Sequence, residues 1–242
     1  MITFDIPRKT AEAILSDDTS LRLDMPQGRI HYRSIGQGPA VILVHNSGMW
    51  GGVWDAWIGI LSREYRVVVP DLPGFGLTGP TASADYSYRT LSQFLADFIE
   101  LTCDGQPSHV VGLSLGGQLA LRCALSRGDL IKSLVLINPT GYPEKTVPNV
   151  FKFARGPLGW LLPYLGSKAL LEKNLRQLWG NESGTGDGAE DGAGNFVSDV
   201  FLQRLLVSQR CKGNRRAFLK FLRTDNESVH EAFPLVTAPV QV

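Results

Sequence analysis

The chain has 242 residues, 43% hydrophobic and 19% charged, enough for a well-buried core in one large domain or two small ones. That balance excludes a disordered, collagenous or disulfide-scaffold protein. With 24 basic against 23 acidic residues the formal charge is +1, so no long-range field favours nucleic acid or an anionic membrane surface. The three cysteines, Cys103, Cys123 and Cys211, are scattered and form no C-x-x-C pair, which suits reduced thiols and supplies no zinc framework.

The N-terminus runs Met1-Ile-Thr-Phe-Asp-Ile-Pro-Arg-Lys9, with mixed charge and no apolar core, so no signal peptide is expected and the expected location is cytoplasmic. Leu21, Leu23 and Met25 alternate with polar residues, Pro26-Gln27-Gly28 makes a turn, and Ile30 and Tyr32 resume the alternation, which predicts an antiparallel hairpin. The pattern then changes. Ala40–Val44, Tyr65–Val69, His109–Val111 and Leu134–Ile137 are short apolar runs without alternation, as expected of strands buried on both faces of a parallel sheet. Between them, Leu91, Phe94, Leu95, Phe98 and Ile99 follow a helical period with Ser87 placed as N-cap, and 118–125 reads as a second helix with small residues at Ala120 and Ala124. Strand and helix in alternation predict an α/β fold, a doubly wound, mostly parallel sheet with right-handed crossovers.

From 142 to 233 the β runs stop and the apolar groups take helical spacing, so residues 1–141 are expected to form the core, 142–233 a helical cap, and 234–242 the start of the next core strand. The greasiest stretch, Gly156 to Leu171, is broken by Pro157, Gly159, Pro163 and Gly166, so no transmembrane span is expected. Gly180 to Asn195 is glycine-rich and acidic, yet it lacks calcium-loop spacing and reads as a flexible loop.

Gly112-Leu113-Ser114-Leu115-Gly116 follows a predicted strand and opens a predicted helix, the context in which G-x-S-x-G presents a nucleophile on a strained turn. Residues without side chains at Gly112 and Gly116 let strand and helix approach closely, and the helix N-terminus below Ser114 directs free N–H groups toward developing negative charge. His45-Asn46-Ser47-Gly48-Met49-Trp50 after the 41–44 strand, and Asp71-Leu-Pro-Gly-Phe-Gly-Leu-Thr78 after the 67–69 strand, complete a set that resembles the α/β-hydrolase fold superfamily. The resemblance extends from Leu21 to Pro143, and Asn214–Phe218 looks like part of the cap of some bacterial members. It implies Ser114 as nucleophile and the backbone N–H groups of Ser47 and Leu115 as the oxyanion hole, with His45, Asn46, Gly48, Gly112 and Gly116 shaping the two loops. Asn46 stands where the superfamily usually has glycine, and asparagine tolerates left-handed φ better than most residues. Asp71 reads as a turn-stabilising carboxylate in preference to a catalytic one.

A serine at 114 implies acyl transfer, as in an esterase, lactonase, amidase or C–C bond hydrolase, and disfavours the dehalogenases and epoxide hydrolases that use an aspartate there. The implied partner is a small hydrophobic acyl substrate, with no cofactor, metal, nucleic acid or membrane. Trp50, Trp54 and Trp57 are candidates to line its pocket, although core packing is the expectation for Trp54 and Trp57.

The resemblance also implies an acid and a histidine after the cap, and neither is found. His109 opens the strand that carries Ser114, about 16 Å from it at ~3.3 Å per residue. His230 is expected at the N-terminal end of the last strand, His31 as a surface or sheet residue of the hairpin, and His45 as a structural hydrogen-bonding residue. The position after the Leu134–Ile137 strand holds Asn138-Pro139-Thr140 and offers no carboxylate. The expectation is therefore a serine hydrolase lacking its last two βα units and impaired as written, with a non-catalytic binding protein as the competing reading.

Overall fold

The computed structural model describes residues 5–142, 149–161, 171–173, 175, 198–225 and 228–242. Seven strands form one sheet: β1 (Ser20–Met25), β2 (Gly28–Ile35), β3 (Ala40–Val44), β4 (Arg66–Pro70), β5 (Ser108–Leu113), β6 (Ile131–Ile137) and β7 (Val240–Gln241). Their order is β1-β2-β4-β3-β5-β6-β7. The hairpin β1–β2 joins the sheet antiparallel to β4, and every pair from β4 to β7 is parallel. This is the expected mostly parallel α/β sheet with an antiparallel start.

The unbroken apolar runs of β3 to β5 are explained by cover on both faces. Successive side chains of a strand point to opposite sides. Accordingly Ile42, Val44, Val68 and Val110 pack beneath α3 (Tyr88–Thr102) and α4 (Leu115–Ser126), while Val41, Leu43, Val67, Val69 and Val111 pack with Trp54 and Ile58 of the segment leading through α2 (Asp55–Leu61). Ser87 caps α3 as expected, its hydroxyl accepting the Thr90 N–H.

An N-terminal helix, α1 (Arg8–Leu15), has no counterpart in the periodicity, because Pro7 precedes it without a side-chain cap and only Ala11 and Leu15 are buried. Those two residues meet Met49, Trp50, Leu202 and Leu205, so α1 lies between the core and α6 (Asp199–Arg210). After β6 come α5 (Asn149–Arg155), α6 and α7 (Asn214–Leu222), none of which adds a sheet strand. Parts of the expected 142–233 cap, including Leu162, Leu170, Leu178 and the glycine-rich stretch 180–195, lie outside the described residues.

The end of the chain departs from expectation. A 3-10 segment spans His230–Leu235, and strand pairing begins only at Val240, against Leu134 of β6. Pro234 and Pro239 have no N–H to donate, which delays regular pairing. The Pro239 carbonyl nevertheless accepts the Leu134 N–H at 2.9 Å. Val240 is half-buried and Gln241 exposed, where a buried strand was expected.

Candidate active site

Ser114 stands between the last residue of β5 and the first of α4 with φ 51° and ψ −111°, a conformation that costs an L-residue on the order of 1–3 kcal/mol. Three hydrogen bonds keep it there: its N–H donates to the Ile137 carbonyl at 2.9 Å, and its carbonyl accepts from Thr140 and Gln118 N–H groups at 3.2 and 3.1 Å. Glycine is required on both sides. A Cβ on Gly112 would lie 2.5 Å from the Gly116 carbonyl oxygen, and one on Gly116 would enter the Val44 carbonyl. The Thr140 hydroxyl donates to Gln118 Oε1 at 2.7 Å, tying the loop after β6 to α4.

The His45–Gly51 loop leaves the same edge. Val44 is paired with Gly112, so β3 and β5 end side by side and their loops emerge together. Among the described residues the backbone N–H groups of Ser47 and Leu115 donate to no protein group, while Ser114 and Ser47 are partly exposed. The loop is pinned at both ends by one corner of the chain. Asp71 Oδ1 accepts the Gly51 N–H at 2.7 Å, and the Leu72 N–H donates to His45 Nε2 at 2.9 Å. Helices α6 and α7 hold its middle: Gln209 Nε2 donates to the Gly48 carbonyl at 3.0 Å, and Phe218 covers Gly48, whose φ is 75°. Asn46 contributes a carbonyl to this loop, accepting from His45 and Met49.

Asp71 is a structural carboxylate, in keeping with its turn motif, and it reaches further than its own turn. It also accepts the Leu77 N–H at 2.8 Å and a bond from His31 Nδ1 at 2.8 Å. Burial pushes its pKa up, and the electrostatic interaction and hydrogen bond with His31, the neighbouring His45 and the Gly51 N–H outweigh that, holding the carboxyl well below the usual range.

No histidine is bonded to Ser114 among the described residues, which include all four. His45 is fully buried. Because Nε2 accepts the Leu72 N–H, the ring proton sits on Nδ1 and donates to the Asn46 carbonyl at 2.8 Å. Burial outweighs the pull of Asp71 and keeps this imidazole below its ordinary pKa, so it is neutral and structurally committed. His109 pairs with Ser133 at 2.7 Å at the opposite end of β5.

His31 corrects the surface reading: it lies within β2 but is buried against Asp71. His230 requires a larger correction. Val229 N–H and Ser228 Oγ both donate to the Gly141 carbonyl at 2.9 Å, and Ser228 Oγ is 2.6 Å from His230 Nδ1. His230 therefore lies on the C-terminal side of the sheet, beside the loop after β6, because the chain passes there after α7 before running past α4 to start β7.

Trp54 is core, Trp57 is 43% exposed and stacks edge-on against it, and Trp50 is buried between Phe201 and Arg204 of α6. The three cysteines are buried and free, and burial pushes the Cys123 thiol up to about 12. Among the described residues no three His, Cys, Asp or Glu gather as metal ligands, and no helix is long and apolar enough to cross a membrane.

A mostly parallel α/β sheet with a strained serine turn at the end of a central strand defines the class of protein. The profile of the alpha/beta hydrolase family matches residues 41–240, and the chain belongs to that family. Over 102 residues it is 37% identical to a pimeloyl-[acyl-carrier protein] methyl ester esterase of Aeromonas hydrophila, covering 42% of this chain and 38% of the relative. Over 125 residues it is 30% identical to haloalkane dehalogenase 2 of Mycobacterium bovis, covering 51% of this chain and 43% of that one. The matches thus span less than half of these curated relatives. A putative lipase of Acinetobacter baumannii superposes with a TM-score of 0.68 at 21% identity over 98% of this chain and 78% of its own, a likeness of fold.

Proposed function

We propose that this chain is a serine hydrolase of carboxylic esters or related acyl compounds, with Ser114 as nucleophile, the Ser47 and Leu115 N–H groups as oxyanion donors and 142–233 as the cap. The observation that carries the reading is the strained Ser114, partly exposed at the end of β5 and facing a loop whose amide at Ser47 is free, next to the free amide of Leu115. As Ser114 Oγ adds to a carbonyl carbon, negative charge gathers on the carbonyl oxygen, and amide donors placed in advance stabilise it by about 3–4 kcal/mol for one donor. The similarity to a methyl ester esterase supports an acyl ester as substrate.

The general base is the missing part. His45 is committed through both ring nitrogens, His31 and His109 bond away from Ser114, and His230 bonds Ser228 through Nδ1 and not Ser114, so no histidine is in place to take the Ser114 proton. Acylation of Ser114 in the 242-residue chain is therefore slow, at least about 1,000-fold below a hydrolase with a complete triad. The experiment is labelling with a fluorophosphonate probe at neutral pH, with the adduct located by peptide mass mapping and Ser114→Ala as control. Slow labelling on the Ser114 peptide is expected. Labelling as fast as in active serine hydrolases would refute the absence of a base, and no adduct on Ser114 after prolonged exposure would favour a non-catalytic binding protein.

A further inference from the structure

Away from Ser114, one hydrogen-bonded line of side chains has the make-up of a nucleophile, a base and an orienting acid. His31 Nδ1 is 2.8 Å from Asp71 Oδ2, and His31 Nε2 is 3.1 Å from Ser20 Oγ. Asp71 is held from two further sides by the Gly51 and Leu77 N–H groups, so its carboxylate is fixed in place and can only accept. An ionised acceptor at Nδ1 places the proton of neutral His31 on that nitrogen. The lone pair is then on Nε2, facing the Ser20 hydroxyl.

The sheet produces this arrangement. Across β1–β2, Ser20 opposes Arg33 and Arg22 opposes His31, and directly opposed residues share a face, so all four lie on one side of the hairpin. The antiparallel register of β2 with β4, Tyr32 against Pro70, brings the start of the 71–78 turn beside His31. Elsewhere among the described residues, His109 and His230 each meet a serine hydroxyl without a bonded carboxylate, and His45 meets neither.

We propose that Ser20 is a second acylatable serine of this chain, with His31 as its base and Asp71 as its orienting acid, open to small activated acyl esters and to small phosphoryl fluorides, from which fluoride leaves as the bond from Ser20 Oγ to phosphorus forms. The size limit follows from access: Ser20 is partly exposed while His31 is 4% exposed. As the bond from Ser20 Oγ to the carbonyl carbon forms, the hydroxyl proton passes to His31 Nε2. When the tetrahedral adduct collapses, the bond to the leaving alkoxide breaks and the alkoxide takes that proton, giving acyl-Ser20 and a free alcohol. Water reverses the sequence and releases the acid.

The charged groups around the line are Arg33 and Arg22 on the same face, Glu12 bonded to Arg22, Asp17 and Asp55 bonded to Arg33, and His45 near Asp71. The Asp17 N–H donates to Ser20 Oγ at 3.1 Å, and Asp17 Oδ1, at 3.4 Å, is a more distant acceptor for the hydroxyl than His31.

The test uses the full chain and its Ser114→Ala variant, treated with diisopropyl fluorophosphate and mapped by tandem mass spectrometry. An adduct on the Ser20 peptide is expected in both proteins, which separates this proposal from the fate of Ser114. His31→Gln is expected to slow Ser20 labelling at least 100-fold, with the fold checked by circular dichroism. Should that variant not fold, the pH profile of the unmutated chain decides. A histidine-assisted serine labels at a rate that levels off once the imidazole is neutral, whereas an unassisted one keeps rising about tenfold per pH unit. Absence of a Ser20 adduct, equal labelling in a folded His31→Gln, or a profile that never levels off would each overturn the assignment.

Discussion

Single residues here are constrained by contacts that leave no alternative chemistry. Gly116 sits against the Val44 and His45 carbonyls, so Gly116→Ala must push α4 away from β3. Overpacking of backbone costs about 3 kcal/mol, and a fall of several degrees in Tm is expected by calorimetry. Asp71 is buried with three donors and no freedom to move. Replacing it by asparagine is expected to cost about 3 kcal/mol near neutral pH, read from urea midpoints. The pH dependence has a definite sign. The folded-state pKa of Asp71 is depressed, so its contribution is complete above the unfolded value of about 3.9 and disappears as pH falls below it. The gap between wild type and Asp71→Asn should therefore narrow from about pH 4 downward. His45 acts earlier in the same direction: its pKa is lowered by burial, so the unfolded chain takes up that proton first and stability begins to fall below about pH 6.5.

Elements were legible in proportion to how local their causes are. The runs at 40–44 and 134–137 announced buried strands because every side chain in them is apolar, whichever face it takes. Helix α3 was readable to its first residue, since Ser87 bonds Thr90 three positions on. Ser87→Ala should cost about 1 kcal/mol in equilibrium unfolding without altering the fold. Helix α1 was not readable. It exists because Ala11 and Leu15 meet residues of the 45–51 loop and of α6, and because Arg8 donates to the Leu77 carbonyl at 2.6 Å. The Gly112–Gly116 turn was readable because its residue types fall within five consecutive positions; the Gly112 clash with the Gly116 carbonyl is local to them, whereas the clash at Gly116 is with Val44 and His45, and only the packing of α4 on β3 reveals it.

At the scale of the molecule, polar clamps join α6 and α7 to the loops of the sheet. Asn214 is buried, and its side-chain N–H₂ group donates to the Gly76 and Ser208 carbonyls, each at 2.8 Å, linking the Asp71 turn to α6. The N-terminal segment adds a second tie, with Ile6 exchanging backbone hydrogen bonds with Arg210 and Lys212, and Asp5 paired to Arg215. Asn214→Ala takes from the Gly76 carbonyl its side-chain donor and leaves the Ser208 carbonyl only the longer bond from the Cys211 N–H at 3.4 Å, and should cost about 1–3 kcal/mol. The loss is expected to show first in α6 and α7, as faster limited proteolysis within 199–222 while the core strands stay protected from hydrogen exchange.

Read alone, the chain settled the α/β class, the strand-turn-helix at Ser114 and the loop at His45, because each depends on residues within about one turn or one strand of each other. Which side chains meet across the sheet was decided only by the tertiary structure. Residues 31 and 71 are 40 positions apart and touch because β2 pairs with β4 in one register; His230 reaches the Ser114 side because the chain descends past α4 before β7. Sheet order and crossover path are collective results of burial, and no local pattern encodes them.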